Sequence, residues 1–197
     1  PLAARVPQVV AARTNGGDER PQPLEDLVGI GQLRLCAIEG VGDPQAALMF
    51  VGEGPGAEED RLGEPFVGRS GQLLDRLIAE ELGSTRRQCY IANVVKCRPP
   101  GNRDPRHEEV ATCRSWLEQQ IGLIDPDVIV TLGKFAGQLL TDRTDPISRL
   151  RGRTYSYGRA TVVPTFHPAY ALRGGAEPLA KLRADLARAG RLVEVHQ

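Results

Sequence analysis

Three polar segments of the chain carry the residue types that could do chemistry. The first, Val51 to Gly71 (VGEGPGAEEDRLGEPFVGRSG), packs six glycines and two prolines around a cluster of carboxylates and one aromatic residue, Phe66. It follows the apolar run Ala46 to Phe50. A loop with so little side-chain cover lets a flat ligand or a phosphate approach backbone N–H groups directly. The second segment is NVVKCRPPGNRDP, Asn93 to Pro105, and the third is PTFHPAY, Pro164 to Tyr170. Each stands at the end of a short run rich in β-branched residues, which points to one shared site.

Each residue has a bland reading beside the functional one. Gly52-Glu53-Gly54-Pro55-Gly56 resembles a nucleotide-binding loop, but it lacks Gly-Lys-Ser/Thr, and its GxGxxG register fails at Ala57. It could equally be a plain strand-to-helix turn. Phe66 lies between Gly63 and Gly68. Such a residue packs on its own scaffold or offers a stacking platform to a planar base. Asn93 falls inside a strand pattern, where Asn is disfavoured and its carboxamide needs partners. A carboxamide that donates and accepts at once matches the O4 and N3–H edge of uracil, and cytosine presents the opposite pattern. A structural Asn is the rival. His167, between Phe166 and Pro168, could donate to a ligand carbonyl. That bond would strengthen if the carbonyl gains charge during reaction. Tyr170, Leu172 and Arg173 follow. An apolar tip beside a cation could wedge into a duplex and meet phosphate.

The elements that must position these residues are short. Ala47–Gly52, Tyr90–Val95, Asp127–Leu132 and Thr161–Thr165 read as apolar strands without strict alternation, as in a buried parallel sheet. Helical patterns lie between and after them. Ser70–Leu82 carries Leu73, Leu74, Leu77, Ile78 and Leu82 on one face, and Gly83 is its stop. Pro105–Ile124 carries Val110, Cys113, Trp116, Leu117 and Ile121, with Asp104 as N-cap and Pro105 at its first position. Lys134–Leu140 and Glu177–Gly190 follow. The alternation predicts an α/β fold, a three-layer α/β/α sandwich with a central four-stranded parallel sheet. Ligands of such sheets sit beyond the carboxyl ends of the strands, where all three polar segments fall. Residues 1–23, rich in Ala, Arg, Pro and Gly, read as a mobile N-terminal arm, and residues 24–197 as the domain.

Composition bounds the rest. With 197 residues and 25 basic against 25 acidic side chains, the chain suits one domain of zero formal charge. Residues 1–60 hold four Arg against ten Asp and Glu, while residues 143–197 hold nine Arg and one Lys against four. A basic final third could meet phosphates or simply be a solvated helix face. No stretch approaches the roughly 20 apolar residues of a membrane span. The expectation is a soluble, cytoplasmic monomer. Four cysteines, Cys36, Cys89, Cys97 and Cys113, do not make a secreted disulfide framework in a chain this long, so buried thiols or metal ligation are expected.

Taken together, GEGPGAEEDRLGEPFVGRSGQLLDRLI, IANVVKCRPPGNRDP and PTFHPAY resemble the family-4 uracil-DNA glycosylases, over about Asp43 to Arg173. The resemblance implies hydrolysis of the bond between uracil and deoxyribose in single- or double-stranded DNA near the bacterial nucleoid, leaving an abasic site. It implies that Phe66 stacks on the flipped-out base, Asn93 reads its edge, and His167 stabilises negative charge at O2. It implies that Gly54, Pro55 and Gly56 bind backbone and base. Glu53 and Glu59 match acidic positions of the first motif. Either could position water or stabilise the sugar cation, and Glu53 is the preferred choice. A related glycosylase for another damaged base, and a non-catalytic damage-binding module, are the alternatives. The family commonly holds a [4Fe–4S] cluster through four cysteines. Cys97 and Cys113 match the last two, Cys36 is a third candidate, and no fourth is identified. Cys89 lies eight residues before Cys97, about 26 Å along an extended chain at roughly 3.3 Å per residue, too far to share their cluster.

Overall fold

The computed structural model describes residues 38–196. The arm at 1–23, the residues up to 37 and Cys36 lie outside the described residues.

The described chain builds one six-stranded sheet in the order β1-β3-β2-β4-β6-β5. Its strands are β1 (Gly40–Gly42), β2 (Leu48–Gly52), β3 (Tyr90–Asn93), β4 (Val128–Leu132), β5 (Tyr155–Tyr157) and β6 (Ala160–Thr165). The four expected strands are the central ones, and all their mutual pairings are parallel. Two more strands, β1 and β5, add antiparallel edges of three residues each. The expected four-stranded sheet is therefore the core of a wider one. Gly-Val-Gly and Tyr-Ser-Tyr are too short to show a period, so only their pairing reveals them.

Seven helices accompany the sheet: α1 (Ala57–Leu62), α2 (Arg69–Leu82), α3 (His107–Ile124), α4 (Lys134–Thr141), α5 (Ile147–Leu150), α6 (Pro168–Gly174) and α7 (Ala176–His196). Alternate strand residues face opposite ways. Leu48, Phe50, Ile91, Val130 and Val163 pack with Leu74, Leu77, Leu182 and Leu186 of α2 and α7. Met49, Val51, Ala92, Ile129 and Val162 pack with Leu117 and Ile121 of α3 and Ala136 and Leu140 of α4. These two apolar layers make the three-layer sandwich, and both faces of the central strands are buried as a parallel sheet requires.

Two details differ from expectation. Helix α3 starts at His107, so Asp104 is not its N-cap and Pro105 is outside it. The Arg106 backbone N–H donates instead to Glu109 Oε2 (2.8 Å), which closes the first turn. The last expected helix, 177–190, runs on to His196, preceded by the separate short helix α6. No described helix is long and apolar enough to cross a membrane.

Candidate active site

The carboxyl ends of β2, β3, β4 and β6 lie side by side. Gly52, last in β2, is in register with Asn93, last in β3. Leu132 and Thr165 pair at the ends of β4 and β6. A Cβ on Gly52 would stand 2.4 Å from Asn93 Oδ1 and 2.5 Å from Phe66 Cζ. The carboxamide and the phenyl ring thus close on one stretch of bare main chain, and only glycine permits it. Across the phenyl ring lies the His167 imidazole, its centroid 5.6 Å away and its plane inclined by 27°. The structure brings Phe66, Asn93 and His167 together at the end of the sheet where a parallel α/β fold binds ligands.

Each polar side chain is prepared electrostatically. Asn93 is buried, and its Oδ1 has no hydrogen-bond partner among the described residues. A buried acceptor left unpaired is costly, and a ligand donor would satisfy it. The Asn93 main chain is held from behind by Lys96, whose buried ammonium donates to the Asn93 carbonyl (2.8 Å) and also to Gln120 Oε1. Burial pulls the Lys96 ammonium down to about 8. His167 caps α6, and its Nδ1 accepts from the Ala169 backbone N–H (3.1 Å). That bond leaves Nε2 as the protonated nitrogen of a neutral ring. Burial, helped by the charge of Arg173, lowers the imidazole pKa to about 4, against a small opposing pull from Glu59. At neutral pH His167 is a neutral donor through Nε2.

Phe66 takes a left-handed backbone conformation, φ 55°, which is strained for a bulky side chain. Glu59 supports the bend: its Oε1 accepts from the N–H groups of Val67 (3.0 Å) and Gly68 (2.9 Å). The sequence placed Glu59 among groups touching substrate; here that oxygen serves the Phe66 loop. Gly54, Pro55 and Gly56 form the link from β2 to α1, with Gly56 as the α1 N-cap.

Glu53 stands apart in its titration. Burial first, and then the charge of Asp104, raise its carboxyl to about 7, with Lys134 opposing both. A carboxylate balanced at neutral pH, at the carboxyl end of β2, is the kind of group that general-base chemistry uses. Sequence reasoning missed Asp104 and Lys134 as its partners. They reach it from the loop before α3 and from the first residue of α4, and no local pattern links those segments.

The family model described as the uracil DNA glycosylase superfamily matches residues 39–187. The chain belongs to that superfamily. A type-4 uracil-DNA glycosylase of Sulfurisphaera tokodaii is 46% identical over 149 residues, covering 72% of this chain and 68% of its own. One of Thermotoga maritima is 46% identical, covering 76% and 78%. One of Archaeoglobus fulgidus is 46% identical over 168 residues, covering 77% and 84%.

In this uracil-DNA glycosylase superfamily member, the segment after His167 forms α6. Tyr170 and Leu172 are exposed there, 48% and 43%, although both are large and hydrophobic. Arg173 is exposed beside them. Tyr170 leans on Phe166 (ring centroids 4.9 Å), and the Arg151 guanidinium lies 5.3 Å from the Phe166 ring. Arg151 in turn donates to Asp185 Oδ2 (2.9 Å), and the same carboxylate accepts from Thr165 Oγ1 (2.8 Å). A buried acid on α7 thus fixes the end of β6, two residues before His167. Part of the basic final third is paired internally: Arg159 meets Asp125 and Asp127, Lys181 meets Glu177, and Arg183 meets Glu80 and Glu81.

Among the described residues no group of three or more His, Cys, Asp or Glu stands where it could hold a metal ion. Cys113 is half-buried on α3 against the core. Cys89 is buried at the opposite, amino-terminal end of the sheet, in the wall of a groove of about 740 Å³ between the ends of α2 and α7. None of Glu53, Phe66, Asn93 and His167 lines that groove. Two thiols at Cys97 and Cys113 do not fit a cubane that takes four, and Cys36 lies outside the described residues.

Proposed function

We propose that the chain is a uracil-excising repair glycosylase, acting on single- and double-stranded DNA as a cytoplasmic monomer. The observation that carries this reading is the unpaired, buried Asn93 Oδ1 facing the same space as Phe66 and His167. Oδ1 accepts the uracil N3–H and the Asn93 amide donates to O4. Cytosine offers an acceptor and a donor in the reverse order, so it would leave both buried partners unpaired.

The phenyl and imidazole rings stand 5.6 Å apart. Two stacking contacts of about 3.5 Å would need about 7 Å, so no base fits between them as they stand. The base therefore does not enter between the two rings. Uracil lies on Phe66, and His167 meets its O2 edge through Nε2–H. Exposed Tyr170 and Leu172 occupy the gap left in the duplex, and Arg173 meets the adjacent phosphate. As the N-glycosidic bond breaks, its electron pair leaves with the base, and the hydrogen bond from neutral His167 strengthens on the growing O2 charge. Water adds to the cationic sugar carbon. Ionised Glu53 orients that water and takes up its proton, leaving an abasic sugar and the uracil anion, which the Glu53 proton then neutralises through solvent.

The test is release of uracil from an oligonucleotide with one uracil, read as alkali-labile cleavage. The acid limb of kcat/KM should titrate near the Glu53 value of about 7, with activity rising as pH rises through it. Asp104→Asn should move that limb to lower pH, and Lys134→Ala to higher pH. An acid limb unchanged in Glu53→Gln would remove Glu53 from this role. A chain that binds the oligonucleotide but frees no base would instead be a damage-binding module.

The type-4 relatives make an iron–sulfur cluster a natural question. Cys97, Cys113 and Cys36 are the candidate ligands, and no step above passes through such a group. Purified chain should carry much less iron than a full [4Fe–4S] complement and show little visible absorbance. Full iron content would mean that Cys36 and a further ligand complete the set.

A further inference from the structure

We propose that Arg86 is a positioning residue for the stacking face of Phe66, an inference that rests on the uracil reading. Arg86 lies in the turn between α2 and β3, twenty residues beyond Phe66. Its Nη2 donates to the Pro65 carbonyl (2.7 Å) and its Nη1 to the Phe66 carbonyl (2.9 Å). The guanidinium is braced by Asp75 on α2 (3.2 Å) and by Glu64 (3.3 Å). Glu59 holds the next two peptide N–H groups, those of Val67 and Gly68. A cation on two successive carbonyls and an anion on the two following amides grip the strained bend from both sides. Gly71 closes it from below: a Cβ there would stand 1.7 Å from the Phe66 carbonyl oxygen.

Two features mark Arg86 as more than a surface charge. The planar fork spans two carbonyls at once, which the single ammonium of a lysine cannot do. Its Nε is buried and has no hydrogen-bond partner among the described residues, while the rest of the fork is held to the loop carbonyls. The left-handed bend at Phe66 determines where the phenyl ring stands relative to Asn93 and His167. Without the fork the ring samples other positions, and the base must order it on binding. A misplacement of about 1 Å at a reacting centre can cost about a hundredfold in rate.

The experiment is a double-mutant cycle on uracil release. Arg86→Lys keeps the charge and loses the fork. It should lower kcat/KM by about 10- to 100-fold and weaken inhibition by free uracil by a similar factor. In a Phe66→Ala background, where no ring remains to be placed, the same change should cost less than about twofold. Asp75→Asn loosens Arg86 without touching the loop and should act in the same direction, more weakly. Equal effects of Arg86→Lys in both backgrounds, or an unchanged affinity for free uracil, would overturn the inference while leaving the functional reading in place. A wild-type chain that releases no uracil would overturn both.

Discussion

His167→Ala lowers the single-turnover rate of uracil release by about 10²- to 10³-fold, the usual cost of removing one donor from a site where negative charge develops. The loss falls on the chemical step, because Nε2–H gains strength only as O2 becomes anionic. The ring also caps α6 through Nδ1, so His167→Ala carries a stability cost of about 1 kcal/mol as well. His167→Asn separates the two effects. Its carboxamide can still accept from the Ala169 N–H but no longer reaches O2, so stability returns and the rate does not. Asn93→Ala should lose a comparable factor, with more of it in binding, since the carboxamide meets the base before and during the reaction. Rapid-quench kinetics with excess enzyme checks both. A His167→Ala rate within threefold of wild type would remove the imidazole from the mechanism.

Asp185→Ala destabilises the fold by about 3–5 kcal/mol. The carboxylate is 1% exposed and serves Arg151 twice and Thr165 once. Removing it leaves a largely buried guanidinium without its counter-charge and a buried hydroxyl without an acceptor. Typical domains hold about 5–15 kcal/mol in all, so much of the margin goes. Urea unfolding should show a lower midpoint with an unchanged slope. Replacing both ion-pair partners, as in Asp185→Leu with Arg151→Met, should recover much of the loss, because no buried charge is then left unpaired. Activity should recover less, since Thr165 leads directly into Phe166 and His167.

The central strands were legible because each is a short, mostly apolar run with both faces buried. Phe66, Asn93 and His167 stood out because each is the wrong residue type for its local pattern: an aromatic in a glycine loop, an amide in a strand, a histidine before a proline. What could not be read is what lies far apart in sequence. Arg86 reaches back 20 residues to Phe66, and Arg151 and Asp185 meet across 34. Asp104 looked like a helix cap because Asp before Pro is a common start signal. The Glu109 carboxylate three residues beyond Arg106 was the competing signal, and it prevailed. Arg86 and Asp185 look like ordinary surface charges until the turn after α2 and the face of α7 are placed in space.

At Gly52 the bare main chain lies against both the Asn93 carboxamide and the Phe66 ring. There is no side chain to trim there, so a lineage seeking a wider or differently edged nucleobase gains no room by mutating that position. Every larger residue would collide with the carboxamide and the phenyl ring together. If the proposed site holds, new specificities would arise by exchanging Asn93 or by rebuilding the loop that carries Phe66, and Gly52 would be its least evolvable position.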